Sequence, residues 1–444
     1  MTFRLRPLLL TVVLFCAALS NASAEAEANR SFAGLHWETP VHHLGEVARE
    51  PMVVELADGT LFVSGFGAGA LPVWEGGTPE NGTPALWRSH DRGANWQSVN
   101  LGPGAKGNSD VDLAVGPDDT VYMVVMSYDR KVFEGTGISV GVGRDGGTEW
   151  SWKSLSRRRF DDRPWIAVAP NGHVHVIWND GSGVLYVVST DGGKSWEERP
   201  RISHKGGSSH LAIGPGGEIA VRITPLSASG NRSHQGFDRL AVSTDNGASW
   251  RFHRPPGQRE WSKDFVSAEL PRWVEPIAWD AAGALYSLWS EGQELWLGRS
   301  LDQGVTWSSW PIAHGGKSAH GGKSVDGEKS ADGEKDFYFP YLTANRAGEL
   351  AATWFSGRGK EIRVHTAYLA LSTGAERPRV LHAPPFQPEI YRQLQAHIPP
   401  LRDTGGEYLP VIFLRDGSLA VVSTVASHDK QRLGFTWRAL KKHP

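Results

Sequence analysis

One eight-residue phrase recurs five times along this chain and limits what it can fold into more than any other feature. It reads SHDRGANW at 89–96, GRDGGTEW at 143–150, STDGGKSW at 189–196, STDNGASW at 243–250 and SLDQGVTW at 300–307. Asp91, Asp145, Asp191, Asp245 and Asp302 stand at its centre, 54, 46, 54 and 57 residues apart. Self-similarity at such a period marks a repeat architecture in which each unit stacks on the next. Every copy follows a run rich in β-branched and aromatic residues, such as VLYVV before Asp191, and ends in a Trp that opens another such run. That pattern predicts a hairpin whose turn is Asp-x-Gly. The carboxylate is placed to accept the turn's own N–H groups, and the glycine supplies the positive φ. The Trp is expected to bury its ring beside a neighbouring sheet. Five equivalent copies make these aspartates structural rather than catalytic.

A second repeat precedes each phrase: an inner strand, a turn usually containing Gly, and an apolar strand. Its copies lie at 50–65, 110–125, 163–178, 208–223, 275–289, 339–354 and 408–423. Seven copies predict seven four-stranded units, with a six-unit ring plus one embellished loop as the alternative. The sixth keeps only a remnant of the phrase at Ser372-Thr373-Gly374, and the seventh is one strand short. Gly34–Val41, near the N-terminus, is the candidate for the missing strand. The content of 52 Gly, 27 Pro and 19 Trp suits short strands and tight turns better than helices.

The phrase resembles the Asp-box, or BNR repeat, of sialidases and their relatives, which are β-propellers. The resemblance implies an all-β propeller over nearly all of residues 25–444, and Asp-boxes serve several unrelated propeller functions. The segment 1–24 has Arg4 and Arg6, an apolar run from Leu8 to Leu19, and Ala22-Ser23-Ala24. It is expected to be a cleaved signal peptide that sends the protein to the periplasm or the exterior. The single cysteine, Cys16, lies inside it, so the mature chain would have neither a disulfide nor a thiol nucleophile. Residues 314–335, HGGKSAHGGKSVDGEKSADGEK, repeat Gly, Lys, Ser and acid and are expected to be a flexible loop. The net charge of −2 gives no basis for a nucleic-acid or membrane-surface partner. A monomer with no cofactor is expected. His173 and His175 share one strand face, but no third metal ligand is evident.

In a propeller the inner strands converge on one mouth. Their first residues are Glu50, Asp110, Arg163, Ser208, Glu275, Phe339 and Tyr408. Four charged groups there predict a polar pocket, on the face away from the Asp-boxes. Two further matches carry the sialidase resemblance into the site. Arg49-Glu50-Pro51 followed by Gly59-Thr60-Leu61 is similar to the family's opening Arg-Ile-Pro and Gly-Thr-Leu. Tyr408 precedes Asp416-Gly417 at the family's spacing for its nucleophilic Tyr. The resemblance implies that Arg49 clamps a substrate carboxylate, with Arg222 and either Arg358 or Arg363 as further clamps. Asp110 and Arg163 would line the substrate site. It also implies that a Glu activates Tyr408. The family's position for that Glu holds Ser208-Ser209-His210, which leaves Glu275 as the substitute. The loop that should supply an acid/base Asp, 66–85, contains only Glu75 and Glu80 as carboxylates. A phenol nucleophile avoids the repulsion a carboxylate would meet at an acidic sugar. The expected function is a glycoside hydrolase acting on an acidic, sialic-acid-like sugar. A non-catalytic glycan- or protein-binding propeller and a polysaccharide lyase using Tyr408 or His210 as base stay open beside it.

Overall fold

The computed structural model describes residues 36–43, 50–65, 84–129, 132, 134–225, 236–258, 260–261, 274–291, 294–314, 337–357, 362–371, 376–386, 406–426 and 433–441. None of the described residues is helical. Seven four-stranded antiparallel sheets are present among them. Blade one comprises Met52–Glu55, Leu61–Gly65, Ala85–Ser89 and Gln97–Ser98, and blade two Val111–Val115, Val121–Asp129, Glu134–Arg144 and Glu149–Ser156. Blade three is Asp162–Val168, Val174–Asn179, Val184–Ser189 and Glu197–Glu198; blade four is Gly207–Ile213, Ile219–Thr224, Arg239–Ser243 and Arg251–His253. Blade five is Ile277–Trp279, Leu285–Glu291, Glu294–Ser300 and Ser308–His314; blade six is Phe337–Ala344, Glu349–Ser356, Arg363–Ala370 and Arg379–His382. Each inner strand touches the inner strand of the next blade, and the last returns to the first, so the ring is a closed seven-bladed β-propeller.

Closure comes from the chain's beginning. Blade seven consists of Val411–Phe413, Leu419–Ala426 and Leu433–Lys441, with His36–His43 as its outermost strand. His36 pairs with Lys441 and His43 with Thr436. The fourth strand thus comes from the segment the repeat count left unassigned, two residues further along than expected. Leu61, Val63 and Trp87 of blade one pack on Ala420 and Val422 of blade seven. Arg415 adds polar links, donating its Nε to the Leu56 carbonyl at 2.7 Å and its backbone N–H to Glu55 at 2.8 Å.

Blade packing explains the strand sequences. Every residue of Val174–Asn179 and Val184–Ser189 is buried, because neighbouring blades cover both faces of these middle strands. They read as nearly continuous apolar runs instead of alternating ones. The outer Glu197–Glu198 is exposed and charged.

The Asp-boxes form the turns between third and fourth strands, as the phrase predicts. Ser243 Oγ donates to Asp245 at 2.7 Å, the Ser249 N–H to the same carboxylate at 2.9 Å, and the Gly247 N–H to Ser243 Oγ at 2.9 Å. The boxes of Asp91, Asp191 and Asp302 repeat these bonds. Bonds from Asn95, Ser249 and Thr306 hold Asp91, Asp245 and Asp302 down at about 2. The box Trp rings are only half-buried. Trp96, Trp150 and Trp307 donate their indole N–H back to the box glycine's carbonyl. The predicted loop loses its first residue, His314, to the last strand of blade five; its remaining residues 315–335, the signal segment and the blade-six box remnant lie outside the described residues. His175 is buried and bonded through Nδ1 to the Tyr186 hydroxyl at 2.8 Å, so it completes a core contact.

Gly247 illustrates how tightly box and blade fit. Its φ is +77°, and a Cβ there would lie 2.0 Å from Cε1 of the buried Tyr186. Gly217, with φ +88°, has open space instead. Gly217→Ala should therefore cost about 1–2 kcal/mol of left-handed strain alone. Gly247→Ala should cost about 3 kcal/mol or more, because overpacking adds to the strain. Urea unfolding of the two variants measures the difference.

Candidate functional site

The antiparallel order puts the first-to-second-strand turns and the Asp-boxes on one face of the ring. The starts of the inner strands lie on the opposite face. There the chain enters several blades through an X-Pro step: Glu50-Pro51, Arg163-Pro164, Glu275-Pro276, Phe339-Pro340 and Leu409-Pro410. Glu50, Arg163 and Phe339 adopt φ of +54°, +49° and +44°, values that non-glycine residues rarely take. The register shifts at this level in blades three, four and six. Such backbone strain persists only where surrounding structure enforces it, and it clusters at functional sites.

Side chains from four blades meet at this mouth. The Tyr408 hydroxyl donates to Asp110 Oδ1 at 3.4 Å. Arg163 pairs with Glu407 at 2.7 Å, both nearly buried. The Glu407 N–H donates to Glu50 Oε1 at 3.3 Å, and the Glu50 N–H to Thr424 Oγ1 at 3.4 Å. Gly406 makes room for this: a Cβ on it would sit 2.3 Å from Glu50 Cγ. Asp110 and Asp162 are half-buried, whereas Glu50, Arg163, Glu407 and Tyr408 are buried. As whole residues the two aspartates thus keep more solvent contact than the other four. Burial, with Asp110 close by, pushes Asp162 up to about 7. Burial and the charges of Asp110, Glu407 and Glu50 raise the Tyr408 phenol well above its ordinary value, and Arg163 offsets only part of this.

Asp110 and Arg163 thus lie beside Tyr408, and Asp110 is the carboxylate within reach that an activated phenol would need. Arg222 and Glu275 are placed elsewhere. They form an ion pair with each other, Arg222 0% and Glu275 1% exposed. Arg222 also donates to Ser287 Oγ at 3.1 Å and approaches Asp238 at 3.7 Å. The pair joins blade four to blade five, so neither side chain is presented to the mouth as the sequence reading expected. Arg363 is half-buried and donates Nη1 to the Ile362 carbonyl at 3.0 Å. Ser208 donates to Asn179 of blade three, and Phe339 is buried in the core. Arg49, Glu75, Glu80 and Arg358 lie outside the described residues.

The expected ring of first residues is out of step by one. Tyr408 stands two residues before Pro410, as Asp162 stands two before Pro164, while Glu50, Arg163, Glu275 and Phe339 stand one before theirs. Aligning the blades on these prolines would have singled out Asp162. Glu407 had a weaker signal, its adjacency to Tyr408. Among the described residues no group of three or more His, Asp or Glu side chains is arranged to hold a metal ion.

The BNR/Asp-box repeat family model matches residues 187–198, the third box. Among curated proteins, none matches the sequence significantly. Among solved structures, a fungal alcohol oxidase in complex with copper superposes with a TM-score of 0.53 at 9% identity, over 92% of this chain and 76% of that one. A Hadza microbial sialidase gives 0.42 at 13% identity, over 69% of this chain and 63% of that one. The chain thus spans less than two thirds of that sialidase's length. The α-L-arabinofuranosidase of Fusarium graminearum, in complex with an iminosugar inhibitor, gives 0.43 at 11% identity, over 91% and 96%.

The buried Arg222 makes a prediction. Arg222→Met should break the buried ion pair with Glu275 and cost about 3–5 kcal/mol, the range for breaking a buried pair. Denaturant unfolding tests it; a cost within about 0.5 kcal/mol is what a solvent-facing arginine would give. With its boxes and its closed ring, the chain is a seven-bladed β-propeller that carries BNR/Asp-box repeats.

Proposed function

We propose that this protein is a glycoside hydrolase working at the mouth around Tyr408, with Asp162 as general acid and Asp110 as its carboxylate partner. The observation that carries this reading is the pair of half-buried aspartates, one pushed up to about 7 beside the other. A carboxyl group raised by its surroundings beside a second carboxyl group is an arrangement that glycoside hydrolysis uses. Asp162 would enter protonated and give its proton to the glycosidic oxygen as the bond breaks. Asp110, held by the Tyr408 hydroxyl, would supply the second carboxylate at the anomeric carbon. The phenol itself fits poorly as a nucleophile, because burial and its acidic neighbours favour the protonated form.

The charge of the mouth supports a neutral sugar better than the sialic-acid-like one the resemblance implies. Among the described residues, the acidic Glu50, Asp110, Asp162 and Glu407 gather there, and Arg163 is paired with Glu407. An anionic sugar would meet repulsion. The protonated Tyr408 also favours a second reading, a lectin-like propeller that binds sugar without cleaving it. Export after removal of residues 1–24 belongs to the proposal and predicts a mature N-terminus at Glu25.

A panel of aryl glycosides tests the hydrolase. Turnover should fall as pH rises through about 7, because Asp162 then loses the proton it must donate. Asp162→Asn should lower kcat by about 100-fold or more on poor leaving groups and much less on activated aryl groups, which need no proton. Sugar binding with no turnover at any pH would establish the lectin-like reading instead.

A further inference from the structure

The ring axis behind Tyr408 holds polar atoms that neither the blade contacts nor the aspartate pair employs. The Trp165 ring, from the inner strand of blade three, lies 5.4 Å from Tyr408 and 5.0 Å from His210 of blade four. His210 meets Tyr341 of blade six edge-on at 5.6 Å. The Tyr341 hydroxyl reaches Met52 Sδ of blade one, at 3.6 Å. Trp165 is 2% exposed and His210 8%, yet indole Nε1 and imidazole Nδ1 have no hydrogen-bond partner among the described residues. Tyr341 as a whole residue is half-buried.

Two buried, unpaired nitrogens on neighbouring rings need a cause, since each costs about 1–3 kcal/mol if left unmet. Burial holds His210 neutral, with its pKa lowered to about 4. A neutral imidazole offers one donor and one acceptor, and an indole only a donor. A hydroxyl can meet Trp165 and His210 in either imidazole tautomer, whereas a carboxylate can do so only when Nδ1 carries the proton and an ammonium cannot accept from the indole. The surrounding faces of Trp165, Tyr408 and Tyr341 supply the aromatic lining with few polar groups that small-ligand sites use.

We propose that the axis beneath Tyr408 is a subsite for one hydroxyl of a neutral sugar, with Trp165 donating to it and His210 accepting from it. The proposal rests on the hydrolase reading only in that the sugar enters by the same mouth. Free glucose, galactose, mannose, xylose and arabinose are the probes, with calorimetry and the indole N–H resonance of Trp165, assigned through Trp165→Phe, as readouts. At least one sugar should bind and shift that resonance. Trp165→Phe and His210→Phe, which keep the aromatic packing, should each weaken its binding about tenfold, the worth of one hydrogen bond at the strong end. The analogue deoxygenated at the bound hydroxyl should bind wild type and variants alike. Should both variants prove unstable, the resonance shift in the wild-type protein decides alone. Absence of binding, or binding that leaves the Trp165 resonance in place, would overturn the subsite; the latter is what a permanently trapped water would give. Turnover without dependence on Trp165 would sink the subsite and spare the hydrolase, and Trp165-dependent binding without turnover would do the reverse.

Discussion

Everything in this molecule depends on the ring being shut. A propeller blade is a sheet with one edge at the axis and the other in solvent, and its faces are covered only if both neighbours exist. Without its last contact, blade seven would leave the Ala420 and Val422 face uncovered, and blade one the Leu61 and Val63 face. The pairing of His36–His43 with Leu433–Lys441 ties the two chain ends together, 374 residues separating Glu50 from its partner Thr424 just inside them. Loop-closure cost rises only slowly with length, so one strand pair and an apolar interface suffice to hold so long a ring.

The candidate site is a consequence of that closure. Tyr408 and Glu407 come from blade seven, Glu50 from blade one, Asp110 from blade two and Arg163 from blade three. None of these groups is near another in sequence except at the two adjacent pairs, Glu407 with Tyr408 and Asp162 with Arg163. Crowding four carboxylates around one guanidinium disfavours their full ionisation, and burial together with nearby Asp110 raises Asp162 accordingly. The strained backbone at Glu50 and Arg163 shows that the fold tolerates a local cost to hold these groups in place.

The same closeness separates stabilising charge from available charge. Arg222 had the position expected of a substrate clamp, at the end of a second strand just before an Asp-box. It is instead sealed between blades four and five by Glu275, Asp238 and Ser287. A buried guanidinium must be met by fixed partners, and a residue so met has little left to offer a ligand.

By itself the sequence determined the repeat, the hairpin turns, the seven units and the strand that completes the last of them. These follow from local chemistry: an Asp-x-Gly turn is made from its own residues, and a strand buried on both faces must be apolar along its length. Tyr408, Asp110 and Arg163 were also legible, because blade starts converge wherever a propeller forms. Tertiary structure alone decided which neighbours those residues acquired. Asp162 joins them because the proline-anchored bulge of blade three shifts its inner strand, and Glu407 because it pairs with Arg163. Glu275 and Arg222 leave the set because each completes the other's buried charge. Those outcomes depend on distances between blades, and ionisation responds to such distances far more steeply than strand propensity does.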